Sequence, residues 1–131
     1  MQEDIQKAPV SKPVLWAGWI ISALPVLMLL SSGITKLVKP AFVVEGFTHL
    51  GWDESLALNL GILELFCTVV YAIPRTAVLG AILLTGYFGG AIATHVRIVE
   101  PFYGALVLGV LVWAGLYLRD ARLRVLLPLR S

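Results

Sequence analysis

Cysteine, histidine and charge are all scarce in this chain, and each scarcity removes a class of function. Cys67 is the only cysteine. A lone thiol supplies no Cys-x-x-Cys pair, no internal disulfide and no Cys/His metal cluster, so self-contained thiol redox chemistry is excluded. The two histidines, His49 in a loop and His95 at a helix end, are poorly arranged for a bis-His haem or metal site. Charged residues are 14% of the chain and sum to +2. The basic ones flank apolar segments instead of forming a continuous stripe, so no nucleic-acid partner is expected.

What is present is apolar: 59% of the 131 residues are hydrophobic, with a mean hydropathy of +0.89. That composition places the chain as one domain of a membrane class. Charges are absent from Pro13 to Thr35, Thr76 to Thr94 and Pro101 to Leu118, and Ser55 to Pro74 holds only Glu64. At about 1.5 Å per helical residue each run spans roughly the 30 Å of a bilayer core. The expectation is an all-α, four-transmembrane-helix bundle: a polar tail over residues 1–12, a membrane domain over 13–118 with helices near 13–36, 54–73, 76–96 and 101–119, and a basic tail over 119–131. The first run is too long for a signal-peptide core and follows a tail of mixed charge, so it reads as a helix. Lys7, Lys12, Arg75, Arg119, Arg122, Arg124 and Arg130 fall on one side and Lys36, Lys39 and Arg97 on the other. The positive-inside rule then puts both termini in the cytoplasm, in a multi-pass protein of the cell inner membrane. The lipid bilayer is the first partner, with a modest attraction of the basic tail to anionic lipid.

Within the first helix Ser11 is a candidate N-cap, and Pro25 falls mid-span, where Ser22 or a neighbouring helix can serve the carbonyl it frees. The connection from Lys39 to Glu54 is amphipathic. Pro40 can start a short helix, Gly51 can stop it, and Phe42, Val43, Phe47 and Leu50 share an apolar side, as a surface segment or a lid. Asp53 is suited to cap the second helix, and His49 reads as a solvated loop residue.

Glu64 is the sharpest oddity. A carboxylate at the centre of a spanning helix costs on the order of 3 kcal/mol, so it faces the bundle interior with a partner or a function. Thr68 and Tyr71 lie on the same face, four and seven residues on. The turn at Pro74-Arg75 makes the second and third helices antiparallel neighbours, which brings Tyr87 near the depth of Glu64, within reach of a hydrogen bond. Lys36, at the exit of the first helix, has two readings, a snorkelling anchor or an inward-facing site residue. Gly86 and Gly90 form a flat groove on the third helix, and Tyr87, Ala91 and His95 line the neighbouring face. Small residues for packing alone and a polar site beside them are both open. Trp113 and Tyr117 read as interfacial anchors on the last helix.

The order Ser32-Gly33-x-x-Lys36-Leu37, Gly61-Ile62-Leu63-Glu64-Leu65, Ile73-Pro74-Arg75-Thr76, the run from Gly80 through Gly89-Gly90-Ala91-x-Ala93-Thr94-His95-Val96-Arg97, and Tyr117-Leu118-Arg119-Asp120 resembles the DoxX-like family. The resemblance covers Val14 to about Pro128. It implies a small four-helix inner-membrane protein, named by similarity to a subunit of an archaeal quinone-linked oxidase system, with relatives described as oxidoreductase-associated. Lys36, Glu64, Tyr87 and His95 map onto the family's recurring polar residues.

Two functions are therefore carried forward. In one, Lys36, Glu64, Tyr87 and His95 bound a polar pocket for a quinone-like or other amphiphilic ligand, with Glu64 exchanging a proton and a partner subunit or the ligand carrying electrons. In the other, the protein is a non-catalytic assembly subunit whose Gly86/Gly90 groove docks a partner helix or a second copy in a homodimer. Transport is less attractive, since no inverted repeat is visible.

Overall fold

Ser11 begins the first helix through its backbone alone: Leu15 N–H donates to the Ser11 carbonyl at 2.9 Å, and the hydroxyl makes no capping bond. The computed structural model describes residues 11–126. The expected polar tail before Ser11 and the end of the basic tail, residues 127–131, lie outside them. Helix α1 (Lys12–Val38) runs uninterrupted through the buried Pro25 and ends where Lys39 turns left-handed, φ 54°, its N–H donating to the Thr35 carbonyl. The expected service of Ser22 to the carbonyl freed by Pro25 is not seen, because its hydroxyl is engaged by Tyr71 and Arg119.

Helix α2 (Ala41–Leu50) starts after Pro40 and stops at Gly51, whose φ of +81° is the left-handed cap that glycine adopts without a Cβ clash. Its buried Val43 and Phe47 pack on Leu56, Ala57 and Leu60, so α2 lies against the start of the next helix. Phe42, expected on the same apolar side, is exposed. Helix α3 (Leu56–Ala72) starts two residues later than expected because Asp53 first accepts the Ser55 N–H at 2.9 Å, leaving Ser55 in the N-cap position. That backbone bond holds the Asp53 carboxyl below its usual range.

A 3-10 turn (Pro74–Thr76) leads into α4 (Ala77–Arg97), followed by α5 (Tyr103–Arg119) and the short α6 (Ala121–Leu126). The four long helices form a ring: α3 packs on α1 and α4, and α5 packs on α4 and α1. Among the described residues there is no strand.

Close approach is concentrated where two backbones meet. A Cβ on Gly115 would stand 3.0 Å from the Gly18 carbonyl, and one on Gly18 would stand 2.9 Å from the Gly115 carbonyl, so α1 and α5 touch main chain to main chain. A Cβ on Gly80 would overlap the backbone of Tyr71, which lets α4 fold back on α3 directly after the turn. The core between them holds Leu29, Tyr71, Leu84, Phe88, Val112 and Leu116.

Among the described residues the interior is apolar apart from three polar side chains, and much of the exterior is apolar as well. Glu64, Ser22 and Thr68 are buried, while Trp16, Leu27, Met28, Phe66, Leu79, Ile82 and Val110 point outward. A continuous apolar exterior is stable against lipid and not against water. α1 and the segment Pro74–Arg97 are long and apolar enough to cross a membrane, and α3 and α5, of 17 residues each, are shorter apolar helices.

Candidate functional site

Glu64 sits midway along α3 with 2% of its surface exposed. Three donors from two other helices converge on its Oε2: Lys36 Nζ at 2.7 Å, Ser32 Oγ at 3.2 Å and Tyr87 Oη at 3.2 Å. Lys36 also donates to Ser32 Oγ at 2.7 Å. Thr68, one turn on, spends its hydroxyl on the Glu64 backbone carbonyl at 2.7 Å. No hydrogen bond among the described residues reaches Oε1.

Helix geometry explains why Lys36 turns inward. Every Cα–Cβ bond tilts toward the helix N-terminus, so a side chain in the last turn of α1 leans back toward the middle of the bundle. Of its two readings, the inward-facing one is what the structure holds, at 18% exposure. Moving two charges out of water costs several kcal/mol per ion and is offset only when the pair is close and its remaining lone pairs are bonded. Ser32 and Tyr87 supply those extra bonds on the Oε2 side.

Ser32 was not singled out by sequence as a site residue, although its spacing of one helical turn before Lys36 carries the signal. The predicted pairing of Tyr87 with Glu64 is present. His95 is not brought to the cluster. It lies two turns beyond Tyr87, about 12 Å along the axis, and its Nδ1–H donates to the Ala91 carbonyl of its own helix at 2.8 Å. A neutral imidazole bonded in that way offers only an acceptor at Nε2. Gly86, Gly89 and Gly90 are exposed, with no other group within 4 Å of where a Cβ would stand, so no helix of the ring occupies the expected groove.

The family comparison bears on this arrangement, because the DoxX-like family model matches residues 20–116. The chain belongs to the DoxX-like family. The matched stretch of this DoxX-like protein contains Ser32, Lys36, Glu64, Tyr87 and His95. No curated protein and no solved structure matches the chain.

At the outer edge of the same end, α2 is tied down by two contacts that local sequence did not show. Arg97 donates to the Leu50 carbonyl, and the His49 ring meets the Glu100 carboxylate. His49 is therefore exposed as expected, but paired and at the end of a helix.

A second polar cluster lies at the other end of the DoxX-like bundle. Arg119, expected in a juxtamembrane tail, leans back from the last turn of α5 for the same geometric reason as Lys36. Its Nε donates to Ser22 Oγ at 3.0 Å, and its guanidinium stands 4.3 Å from the Trp19 ring and 5.1 Å from the Tyr71 ring. Tyr71 gives its single hydroxyl hydrogen to the Val112 carbonyl at 2.7 Å, so the 3.1 Å contact with Ser22 uses the serine hydrogen. Trp113, read as an interfacial anchor, turns its Nε1–H to Thr85 Oγ1 at 2.7 Å, and it and Tyr117 pack on the core.

Proposed function

We propose that this DoxX-like protein crosses the inner membrane four times with both termini cytoplasmic, and binds a quinone-like or other amphiphilic ligand at the Lys36–Glu64–Tyr87 cluster. Four crossings are compatible with the 17-residue lengths of α3 and α5, because a spanning helix needs about 17–25 residues.

One observation carries the binding reading. All three donors crowd onto Oε2 of Glu64 and leave Oε1 unbonded among the described residues. Oε1 is therefore a free acceptor beside an otherwise filled one, and a ligand hydroxyl can donate to it without displacing Lys36, Ser32 or Tyr87. Lys36, with more N–H donors than its two bonds use, supplies the opposite polarity for a carbonyl, while the single hydroxyl hydrogen of Tyr87 stays on Glu64. A ligand bearing a hydroxyl or carbonyl on an apolar body matches this set, and Glu64 is the group that takes or returns its proton. His95 stands outside the set. Electron transfer would belong to the ligand or to a partner subunit, which is the sense in which the protein is oxidoreductase-associated.

Native mass spectrometry with organic extraction, on gently purified wild type and Glu64→Gln, tests this. A hydroxyl- or carbonyl-bearing amphiphile retained by wild type and lost from the variant is expected. Equal retention would remove Glu64 from the binding role.

A second reading, assembly through helix contacts, is favoured by the unoccupied Gly86/Gly89/Gly90 face. Close packing of a partner helix or a second copy there needs small residues. Gly90→Leu should abolish association under this reading, and a variant that keeps its oligomeric state would sink it.

A further inference from the structure

We infer that Arg119 anchors a second site, at the end of the bundle away from Lys36, which holds the phosphate of an anionic membrane lipid. The observation is a guanidinium with one nitrogen left unbonded. Arg119 Nη2 is enclosed by protein and has no hydrogen-bond partner, the one such side-chain atom among the described residues. Buried polar groups are almost always partnered, and an orphan N–H on a cation is the costliest kind.

Among the described residues no carboxylate is hydrogen-bonded to Arg119, and the one that feels its charge, the adjacent Asp120, is shared with Arg122. The acids of the described chain are Glu45, Asp53, Glu54, Glu64, Glu100 and Asp120. The neighbouring Asp120 is committed to Arg122, whose Nε and Nη2 reach its two carboxylate oxygens at 3.1 and 3.0 Å. Glu64 is committed to Lys36, and Glu45, Asp53, Glu54 and Glu100 belong to α2 and the turns at the far end. Ser22 and the rings of Trp19 and Tyr71 orient the guanidinium without neutralising it.

The chemistry that fits is an oxyanion, since the planar fork matches two phosphate oxygens. A lipid is the source the surroundings favour. Trp19, which carries the guanidinium on its ring, keeps 39% of its surface exposed on the outside of α1, so the cluster borders the outer surface of the bundle. Exposed Lys12, Arg75 and Arg122 ring the same end, from the start of α1, the α3–α4 turn and the start of α6. Such a rim concentrates anionic lipid at the surface, and the fixed guanidinium then selects the phosphate. Arg119 itself lies beyond the residues matched by the family model, which end at 116, while Ser22 and Tyr71 lie within them.

The test is native mass spectrometry of the full chain from micelles holding equal phosphatidylglycerol and phosphatidylcholine. Wild type should retain one phosphatidylglycerol with about tenfold preference, and Arg119→Gln should lose that preference while Lys39→Gln, at the far end of α1, keeps it. If Arg119→Gln does not fold, Arg119→Lys, which keeps the charge without the fork, should weaken retention severalfold. Equal retention by wild type and the Arg119 variants overturns the site. Displacement of the lipid by millimolar inorganic phosphate overturns the lipid as its source. A tenfold gain in retention on deleting Met1–Val10 overturns it too, since Glu3 or Asp4 would then be the native counter-ion.

Discussion

Lys36 and Glu64 meet at 2.7 Å across α1 and α3, yet the lysine keeps 18% of its surface exposed and the glutamate only 2%. The asymmetry sets the consequences of breaking the pair. Lys36 stands in the last turn of its helix, so a lysine without its carboxylate can swing out to the interface. Glu64 stands mid-helix and has no such exit.

Lys36→Met should therefore destabilise the protein by about 3 kcal/mol, because a buried carboxylate is left without its cation. Glu64→Gln should cost less, about 1 kcal/mol, since Ser32 and Tyr87 can still donate to the amide oxygen. Lys36→Met with Glu64→Leu should recover most of the first loss. Denaturant unfolding in detergent, followed by helical circular dichroism, measures all three, and Glu64→Leu alone closes a double-mutant cycle with Lys36→Met. A larger loss for Glu64→Gln than for Lys36→Met would contradict the asymmetry.

Glycines on one helix should respond oppositely. Gly80→Ala places a methyl into the Tyr71 backbone, which cannot retreat, and should cost on the order of 3 kcal/mol. Gly86→Ala meets nothing within 4 Å and should stabilise the fold by up to about 1 kcal/mol through helix propensity. Thermal unfolding of the two variants side by side decides this.

Val99 ends α4 in a left-handed conformation, φ 58°, with 92% of its surface exposed. The turn is closed by Glu100 N–H donating to the His95 carbonyl at 2.9 Å, a cap that glycine ordinarily occupies. A β-branched residue there is strained by about 1–2 kcal/mol. Val99→Gly should raise stability by roughly 1 kcal/mol after glycine's own entropy cost. A loss of stability would show that Val99 makes a compensating contact with lipid or partner.

The docking of α2 should depend on the contact between His49 and Glu100. Arg97 ties the same helix end from α4 through the Leu50 carbonyl. Hydrogen exchange of α2 amides should be roughly threefold faster in Glu100→Gln than in wild type, the size expected of an exposed pair. Equal exchange in the two proteins would leave the docking to Arg97 and to the packing of Val43 and Phe47.

The sequence by itself determined the helical character, the family, and the inward face of α3. A carboxylate in an apolar run cannot face lipid, and Thr68 and Tyr71 follow it at helical spacing. It also determined α2, since proline opens and glycine closes a helix through backbone geometry that needs no neighbour. Tertiary structure alone decided which way the terminal cations turn. A lysine or arginine in the last turn can reach water or lean back, and the choice falls inward at Lys36 and Arg119 because Glu64, Ser22 and Trp19 wait on other helices or distant turns. The same reason separates the glycines: Gly86 and Gly90 look like contact residues by spacing, while Gly18, Gly80 and Gly115 carry the contacts. Spacing defines the faces of one helix, and only the packed ring fixes which of them meets another backbone.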